Sequence, residues 1–272
     1  MDLLGLEVSG LSRGGIETCL QVPTWKLAFD MGRCPRTAVN LSTVLFTHAH
    51  VDHMGAVASH CATRELWGLP PAQYVVPPPV AKHLESLLEV WRELDGARFD
   101  AKVVRLAPDE SMDLGGGRTV TALRTVHRVV SQAYVISGTR KRLRPDLTHL
   151  SGPEIVDLKR QGEQVDEISQ VDELAFSGDT CIEGLLKHER LMNVRRLMLE
   201  VTFLDERVSV EQSREMGHIH LDEVVANADA FQNEQLVFLH RSMRYSNQEA
   251  GRLISRSLPE SLRGRVQIFK ND

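Results

Sequence analysis

The sequence predicts an α/β fold in which two β-sheets lie face to face between outer layers of helices. Short strand patterns fill the first part of the chain, and apolar strands alternate with helices in the last part. A run of strands followed by this alternation is expected when helices cover two stacked sheets. A chain of 272 residues can build such a fold around one large core, so we predict a single domain, residues 1–272.

The composition restricts the class of protein. Hydrophobic residues make up 42% of the chain and charged residues 25%, and no apolar run of roughly eighteen residues exists, so we expect a globular protein without a membrane span. The first residues lack the pattern of a signal peptide. Four cysteines without a C-x-x-C pair predict a reducing compartment, the cytoplasm. The net charge of −5 means that an anionic partner would need a local basic patch or metal ions.

Most of the predicted strands lie in the first half of the chain, bounded by glycine or proline. They cover residues 6–8, 17–22, 25–29, 44–46, 73–76, 102–106, 119–125 and 132–137. Two helices are predicted there, 56–67 and 80–94, and Gly96 ends the second. We interpret the apolar stripe of that second helix as core packing. The stripe consists of Leu84, Leu87, Leu88, Trp91 and Leu94.

Residues 138–171 interrupt the pattern. Apolar residues become sparse, and a short helix is predicted from Ser151, with Glu154 as its capping-box partner. A basic cluster precedes that helix and consists of Arg140, Lys141, Arg142 and Arg144. We predict an arm or long insertion. Beyond it, strands are predicted at 174–176, 196–199 and 236–239, and helices at 182–190 and 221–231.

A cluster of metal-ligand residue types directly follows the predicted strand 44–46. His48 and His50 are two positions apart, so they point the same way and can reach one ion, while Asp52 and His53 turn toward a second. A site for two ions needs further ligands, and candidates stand at the ends of three other predicted strands. These candidates are His127, Asp179 and His240. The sequence therefore predicts a dinuclear metal site.

The series His48-x-His50-x-Asp52-His53, His127, Asp179 and His240, in that order, resembles the metallo-β-lactamase superfamily, with Asp30 as its strand-end aspartate. Within the superfamily the chain resembles ribonuclease Z, the tRNA 3′-processing endonuclease, in the short form familiar from plants. The segments that carry this resemblance span nearly the whole chain. They are residues 28–35, 177–180, 200–205, 217–220 and 240–245.

The resemblance implies an αββα four-layer sandwich, the metallo-β-lactamase fold, with two zinc ions per subunit. It assigns His48, His50 and His127 to the first zinc and Asp52, His53 and His240 to the second, with Asp179 bridging. Such sites also accept manganese or iron. Asp52 would also orient or deprotonate the attacking water, and His218 paired with Glu200 would protonate the leaving oxygen. Arg244 would contact phosphate.

The resemblance also implies a substrate and a partner. Residues 138–171 correspond to an exosite arm that binds the tRNA elbow, with Arg140, Lys141, Arg142 and Arg144 as its contacts to the RNA backbone. Because the arm of one subunit serves the tRNA on the other, a homodimer is implied. The expected activity is removal of the 3′ trailer from precursor tRNA. The chain departs from the family pattern at Ala133, at Arg241 and at the pair Ile219-His220 after His218.

Two alternatives stay open at this level. The same metal site could serve a phosphodiesterase for small or cyclic phosphodiesters, or a thioester hydrolase of the glyoxalase type. A binding or scaffold protein could retain zinc for stability alone. Retention of Glu200, His218 and the full ligand series argues against the scaffold.

Overall fold

The computed structural model describes residues 1–270 and, within them, every side chain except that of Lys141. In chain order the strands are β1 (Asp2–Leu3), β2 (Leu6–Glu7), β3 (Ser9–Arg13), β4 (Glu17–Val22), β5 (Leu27–Phe29), β6 (Thr43–Leu45), β7 (Ala72–Val76), β8 (Ala101–Arg105), β9 (Ser111–Gly115), β10 (Arg118–Arg124), β11 (Gln132–Leu143), β12 (Asp166–Phe176), β13 (Arg196–Glu200), β14 (Gln235–Leu239) and β15 (Val266–Ile268). The helices are α1 (Val51–Met54), α2 (Val57–Leu66), α3 (Pro78–Asp95), α4 (Gly152–Arg160), α5 (Ile182–Leu186), α6 (Glu189–Asn193), α7 (Val210–Glu215), α8 (Leu221–Ala226) and α9 (Asn247–Ser257). Within residues 1–270, no helix has the length and apolar character needed to cross a bilayer.

Two large sheets carry the fold. The first has six strands in the order β3-β4-β5-β6-β7-β8, and the second has seven in the order β15-β14-β13-β12-β11-β10-β9. Strands β5 to β8 run parallel, as do β12 to β15. The carboxyl ends of parallel strands meet at one edge of a sheet, which is where ligands bind in layered α/β folds. Both sheets therefore present loops that can build a site.

Three clusters of buried apolar side chains separate the layers. The cluster between the sheets includes Phe29 and Phe176, whose rings meet edge to face with centroids 5.4 Å apart. A second cluster joins the first sheet to α2 and α3, and a third joins the second sheet to α5, α6, α8 and α9. The order of layers is helix, sheet, sheet, helix, so the predicted αββα sandwich is confirmed.

The predicted core stripe of α3 is only half correct. Leu84 and Leu88 are buried against the first sheet, but Leu87, Trp91 and Leu94 are 43%, 40% and 72% exposed. The buried face of α3 is completed instead by residues one turn earlier, Val80 and Ala81. Helical spacing identified an apolar face, but that face is wider than the area that the sheet covers.

Other element boundaries also differ from prediction. The helix predicted over 182–190 is interrupted, because His188 adopts an extended backbone and its Nε2 lies 2.6 Å from the Arg124 carbonyl oxygen. The helix predicted over 221–231 ends at Ala226 and is followed by a 3-10 turn, Ala228–Ala230. Strand β9 and helices α7 and α9 have no counterpart in the prediction. Strands β11 and β12 are longer than predicted.

Residues 138–171 form a hairpin that extends β11 and β12 beyond the sheet, here called the hairpin arm. Its strands pair from Gly138–Val171 out to Leu143–Asp166. Helix α4 lies at its tip and begins after Ser151 as predicted, with the Ser151 backbone N–H donating to Glu154 at 2.8 Å. At its root, Asp172 accepts hydrogen bonds from Ser137 and Arg190. The arm is therefore a stalk of two strands that is anchored in the second sheet.

Candidate active site

Side chains from both sheets converge at the carboxyl ends of the strands. The loop after β6 supplies Thr47 to His50 and helix α1 supplies Asp52 and His53, while His127, Asp179 and His240 follow β10, β12 and β14. Among the described residues, three overlapping groups have potential ligand atoms that all lie within 4.8 Å of one another, and the third of them joins Asp179 and His240 to His218. The first group is His48, His50, His127 and Asp179, and the second is Asp52, His53 and His240. The structure thus brings all seven predicted ligand residues together in one place.

Asp179 lies between the two groups. Its Oδ2 is 3.8 Å from His48 Nε2 in the first group. The same oxygen is 3.3 Å from His53 Nε2 and 3.4 Å from His240 Nε2 in the second. Asp52 completes the second group, with Oδ2 3.5 Å from His53 Nε2. One carboxylate is therefore within reach of both groups.

The arrangement fits divalent cations. Asp179 Oδ1 is buried and accepts no hydrogen bond from any described residue, which is costly for a carboxylate oxygen unless a cation satisfies it. His50 Nδ1 faces His48 Nε2 at 3.1 Å, and His53 Nε2 faces His240 Nε2 at the same distance. Ring nitrogens converge in this way when their lone pairs share a cation. This is a divalent-metal centre by the chemistry of its donors.

In four of the histidines, a hydrogen-bond acceptor holds Nδ1. Nε2 is then the nitrogen left to bind a cation. The acceptors lie 2.7–3.1 Å from Nδ1, and only His50 turns its Nδ1 inward. The pairs are His48 with Thr47 Oγ1, His53 with Asp30 Oδ2, His127 with the Gly217 carbonyl oxygen, and His240 with Thr202 Oγ1. These contacts fix both the tautomer and the orientation of each ring.

Asp30 orients ligands and is not itself in either group. Its buried carboxylate accepts the Thr47 backbone N–H at 2.7 Å and lies 2.7 Å from His53 Nδ1. Burial raises the pKa of Asp30, although His53 opposes that rise. Burial alone would lower the pKa of His53, but Asp179 and Asp30 raise it well above the ordinary histidine value. A cation that binds here therefore displaces a proton.

Buried Glu200 and partly exposed His218 form a pair beside the two groups. His218 Nδ1 lies 3.0 Å from Glu200 Oε1, and the His218 ring stacks on His240 with centroids 5.4 Å apart. Glu200 also accepts hydrogen bonds from Thr202 Oγ1 and from two backbone N–H groups, so its orientation is fixed. Burial opposes protonation of His218, but Glu200 raises its pKa to about 9. Glu200 thus favours the protonated form of the His218 ring.

The predicted substrate contacts lie in two places. Exposed Arg244 lies over the Phe203 ring, which in turn packs against His218, so this guanidinium is at the rim of the site. The basic residues of the hairpin arm are remote from it. Arg142 is exposed, Arg140 lines a groove at the root of the arm, and the side chain of Lys141 lies outside the described part of the structure. Arg144 binds Asp146 through two nitrogens and also donates to the Gln164 carbonyl, so most of its donors serve the arm itself.

Known proteins resemble this chain over most of its length. A family model described as a β-lactamase superfamily domain matches residues 23–241. Over 268 residues the chain is 37% identical to tRNase Z TRZ1 of Arabidopsis thaliana, which covers 98% of this chain and 95% of that protein. The chain belongs to the tRNase Z family of this superfamily. It is therefore a metal-dependent hydrolase, and the family resemblance predicted from the sequence is confirmed.

Further tRNase Z proteins support the assignment. The chloroplastic tRNase Z TRZ2 of Arabidopsis thaliana is 34% identical over 251 residues, covering 92% of this chain and 71% of that protein. The crystal structure of human tRNase Z, short form, matches with a TM-score of 0.62 at 17% identity and covers 97% of this chain and 96% of that one. At that identity the structural match supports the metallo-β-lactamase fold.

Sequence reasoning missed the groups that hold the ligands. Thr202 bonds both Glu200 and the ring of His240, and its position two residues after Glu200 was the only signal of this role. The Gly217 carbonyl that orients His127 is a backbone group, and residue identity gives no signal for it. Ser12 Oγ accepts the His240 backbone N–H at 2.9 Å, although the two residues are distant in sequence.

Proposed function

We propose that this chain is a two-zinc endoribonuclease that removes the 3′ trailer from precursor tRNA by hydrolysing the phosphodiester on the 3′ side of the discriminator nucleotide. One observation carries the proposal: the Glu200–His218 pair lies beside two groups of metal ligands in a chain that aligns over nearly its whole length with a protein named tRNase Z. A hydrolytic metal site with its own proton donor suits a substrate whose leaving group is a poorly acidic alcohol.

Two zinc ions are the proposed cofactors. His48, His50 and His127 would hold the first and Asp52, His53 and His240 the second, with Asp179 shared. Imidazole and carboxylate ligands suit zinc, and manganese or iron also binds such sites. Bound metal supplies a Lewis acid that lowers the pKa of water and neutralises the charge that develops on the phosphate.

Asp52 is the proposed residue that orients the attacking water and accepts its proton. Its side chain is 15% exposed, so it lies where solvent enters the site. Burial would raise its pKa, but His240 and His53 lower it below the ordinary value. The carboxylate is therefore ionised at neutral pH and can accept hydrogen bonds from water.

His218 is the proposed general acid. Its Nδ1–H is held by Glu200, which leaves Nε2–H to donate to the departing oxygen. Because Glu200 raises the pKa of the ring, it favours the protonated form that a general acid needs. Glu200 thus acts through His218, both by orienting the ring and by stabilising its charge.

Substitution of Glu200 by Gln should move the alkaline limb of the pH–rate profile. A histidine with a raised pKa is active below that pKa and loses its proton as the pH rises through it. Without the Glu200 charge the pKa of His218 falls, so the alkaline limb should move to lower pH by about one unit or more. Bound metal adds the same charge to the wild type and to E200Q, so it does not change the direction in which the pKa of His218 moves.

The measurement is kcat against pH on a 3′-extended precursor tRNA. Glu183→Gln, an exposed glutamate of α5, is the matched control and should leave the profile unchanged. An E200Q profile that coincides with that of the wild type would remove His218 as the acid.

RNA binding is proposed for the hairpin arm and for Arg244. The arm leaves the end of β11 and β12 that is opposite the metal centre, because the Gln132 backbone N–H donates to Thr47 at the site and Leu143 ends the same strand. At ~3.3 Å per residue, Leu143 lies about 35 Å from Gln132. The arm of one subunit is thus poorly placed to hold RNA at its own site, which supports action on RNA bound to a partner.

A homodimer is the proposed assembly, and an exposed apolar patch supports it. Glu65 at the end of α2 accepts the Phe99 backbone N–H, and Trp91 of α3 stacks on the Phe99 ring, so the two helices adjoin. The apolar patch consists of Leu66, Trp67, Leu87, Val90, Trp91 and Leu94. Several exposed apolar side chains on adjoining helices are typical of an interface.

Leu94→Glu should dissociate the dimer. The residue is largely exposed in one subunit, so the fold tolerates the charge, but a two-fold interface would bury it twice. We expect the dimer dissociation constant, measured by sedimentation equilibrium, to rise at least about a hundredfold. Val156→Glu on α4, another exposed apolar position, is the control. Unchanged dimers in L94E would place the interface elsewhere, and a monomeric wild type would contradict the assembly.

The direct test of the proposed function is incubation of the metal-replete protein with a 3′-extended precursor tRNA. We expect one cut after the discriminator nucleotide, leaving a 3′ hydroxyl on the tRNA. Hydrolysis of a chromogenic phosphodiester without cleavage of the precursor would favour the small-substrate alternative. Absence of both activities would favour the scaffold. The cytoplasm remains the proposed compartment, which the four free cysteines support.

A further inference from the structure

Two arginines share one buried carboxylate next to the second ligand group. Glu17 is 3% exposed and accepts from Arg13 Nη1 at 2.9 Å through Oε1 and from Arg33 Nε at 2.8 Å through Oε2. Of the described acidic side chains, Glu17 alone lies within 4.0 Å of either guanidinium. We call Arg13 and Arg33 the arginine pair. Arg13 ends β3, Arg33 lies in the loop after β5, and both bind Glu17.

Close backbone contacts place the arginine pair beside the metal centre. Gly14, next to Arg13, donates its N–H to the Arg241 carbonyl, and a Cβ on Gly14 would lie 2.7 Å from the His240 carbonyl oxygen. Gly32, next to Arg33, is so close to Asp52 that a Cβ there would lie 1.7 Å from the Asp52 carbonyl oxygen. Each arginine is therefore the chain neighbour of a glycine whose backbone touches a residue of the second ligand group.

The charge of the cluster is not balanced. One carboxylate faces two guanidiniums, and the side chain of Arg33 is 63% exposed, so its terminal nitrogens reach solvent. Arg241 lies close enough to Arg13 that, after burial, the charge of Arg13 is the next cause that lowers the Arg241 pKa. A buried glutamate needs compensation from at most one cation. The excess positive charge suits an anion that arrives at the rim.

We propose that the arginine pair binds a backbone phosphate of the RNA strand next to the scissile bond, with Glu17 as the residue that positions both guanidiniums. This inference rests on the proposed function. An RNA backbone is the anion that must pass this rim when the scissile phosphate lies at the metal centre, and guanidiniums bind phosphate oxygens through paired N–H groups. Glu17 fixes the arginine side chains in advance and so reduces the entropic cost of binding.

The experiment compares R13A, R33A and the double variant with wild type on a 3′-extended precursor tRNA and on a small chromogenic phosphodiester. We expect KM for the precursor to rise about five- to tenfold per arginine, with kcat and hydrolysis of the small ester unchanged within about twofold. Arg252→Ala on the outer helix α9 is the control for loss of one exposed positive charge. Glu17→Gln should also raise KM, and Arg33→Lys should restore only part of it, since lysine cannot present the guanidinium fork.

Binding is measured separately so that the result does not depend on cleavage. In a His218→Ala background, anisotropy of a labelled precursor is followed against salt, and removal of one phosphate contact should lower the salt slope by about 0.7. Wild-type affinity and slope in the double variant would overturn the proposal and leave Glu17 with a structural ion pair only. Failure of the proposed function gives a different result, because the wild type would then not cut the precursor at all. The affinities measured by anisotropy would still decide the role of the arginine pair.

Discussion

Replacement of Asp52 by Ala should lower kcat on precursor tRNA by about a thousandfold or more while leaving the affinity for tRNA intact. The substitution removes a ligand of the second group and the carboxylate proposed to direct the water, two effects that each act on the chemical step. It also removes a negative charge from the path of a polyanion. Affinity should therefore stay constant or increase, which separates a catalytic role from a binding role.

Three measurements check this expectation: single-turnover cleavage, tRNA affinity by anisotropy, and bound metal by elemental analysis. Asp229→Ala, an exposed aspartate beyond α8, is the control and should match the wild type in all three. Cleavage by D52A within about tenfold of the wild type would show that Asp52 is not needed for the chemistry. A tRNA affinity that falls with the rate would make Asp52 a binding residue instead.

Removal of the hairpin arm should abolish cleavage of precursor tRNA and spare a small phosphodiester. Gly138 and Val171 are directly paired, so an Asn-Gly turn can join them in place of residues 139–170. The bonds from Ser137 and Arg190 to Asp172 remain and hold the shortened hairpin to the sheet. We expect kcat/KM on the precursor to fall by at least about a thousandfold, because sequence-independent affinity comes from backbone contacts.

A second variant separates the charge of the arm from its presence. Arg140, Lys141 and Arg142 are replaced by Gln in the intact hairpin, which should weaken tRNA binding and reduce its salt slope by about 0.9 for each side chain that binds a phosphate. Full activity of the arm-less protein on tRNA would contradict the RNA assignment of residues 138–171. Loss of activity on the small ester as well would show that the deletion damaged the site, and melting curves would then identify unfolding.

Much of the site could be predicted because its ligands stand at strand ends. His48, His127 and His240 each follow a predicted strand, and layered folds bring such ends together whatever the intervening sequence. The groups that orient these rings were not predictable in the same way. The Gly217 carbonyl belongs to the backbone, and Thr202 is one hydroxyl among many until the fold places it between two functional side chains.

The errors in the fold have a common physical origin. The stalk of the hairpin arm is polar on both faces, so Thr139 to Leu143 lacks the alternation that identifies a strand. The stripe of α3 has the spacing of a core face, but spacing does not state what covers it. Leu84 packs on the sheet, whereas Leu94 is exposed in one chain and needs a partner to be buried. In both cases the local sequence does not tell which other part of the structure packs against the element.

The division of ligands between the sheets has a consequence for folding. His48 and His50 follow a strand of the first sheet, whereas His127 and Asp179 follow strands of the second, and the other ligand group is divided in the same way. Asp30 and His240 follow strands of opposite sheets, and both adopt a left-handed backbone with φ of 59°. For a residue other than glycine this conformation costs about 1 kcal/mol or more. A bound ion is thus a non-covalent cross-link between the halves of the sandwich and adds its binding energy to the free energy of unfolding. A metal bound for catalysis therefore also stabilises the folded chain.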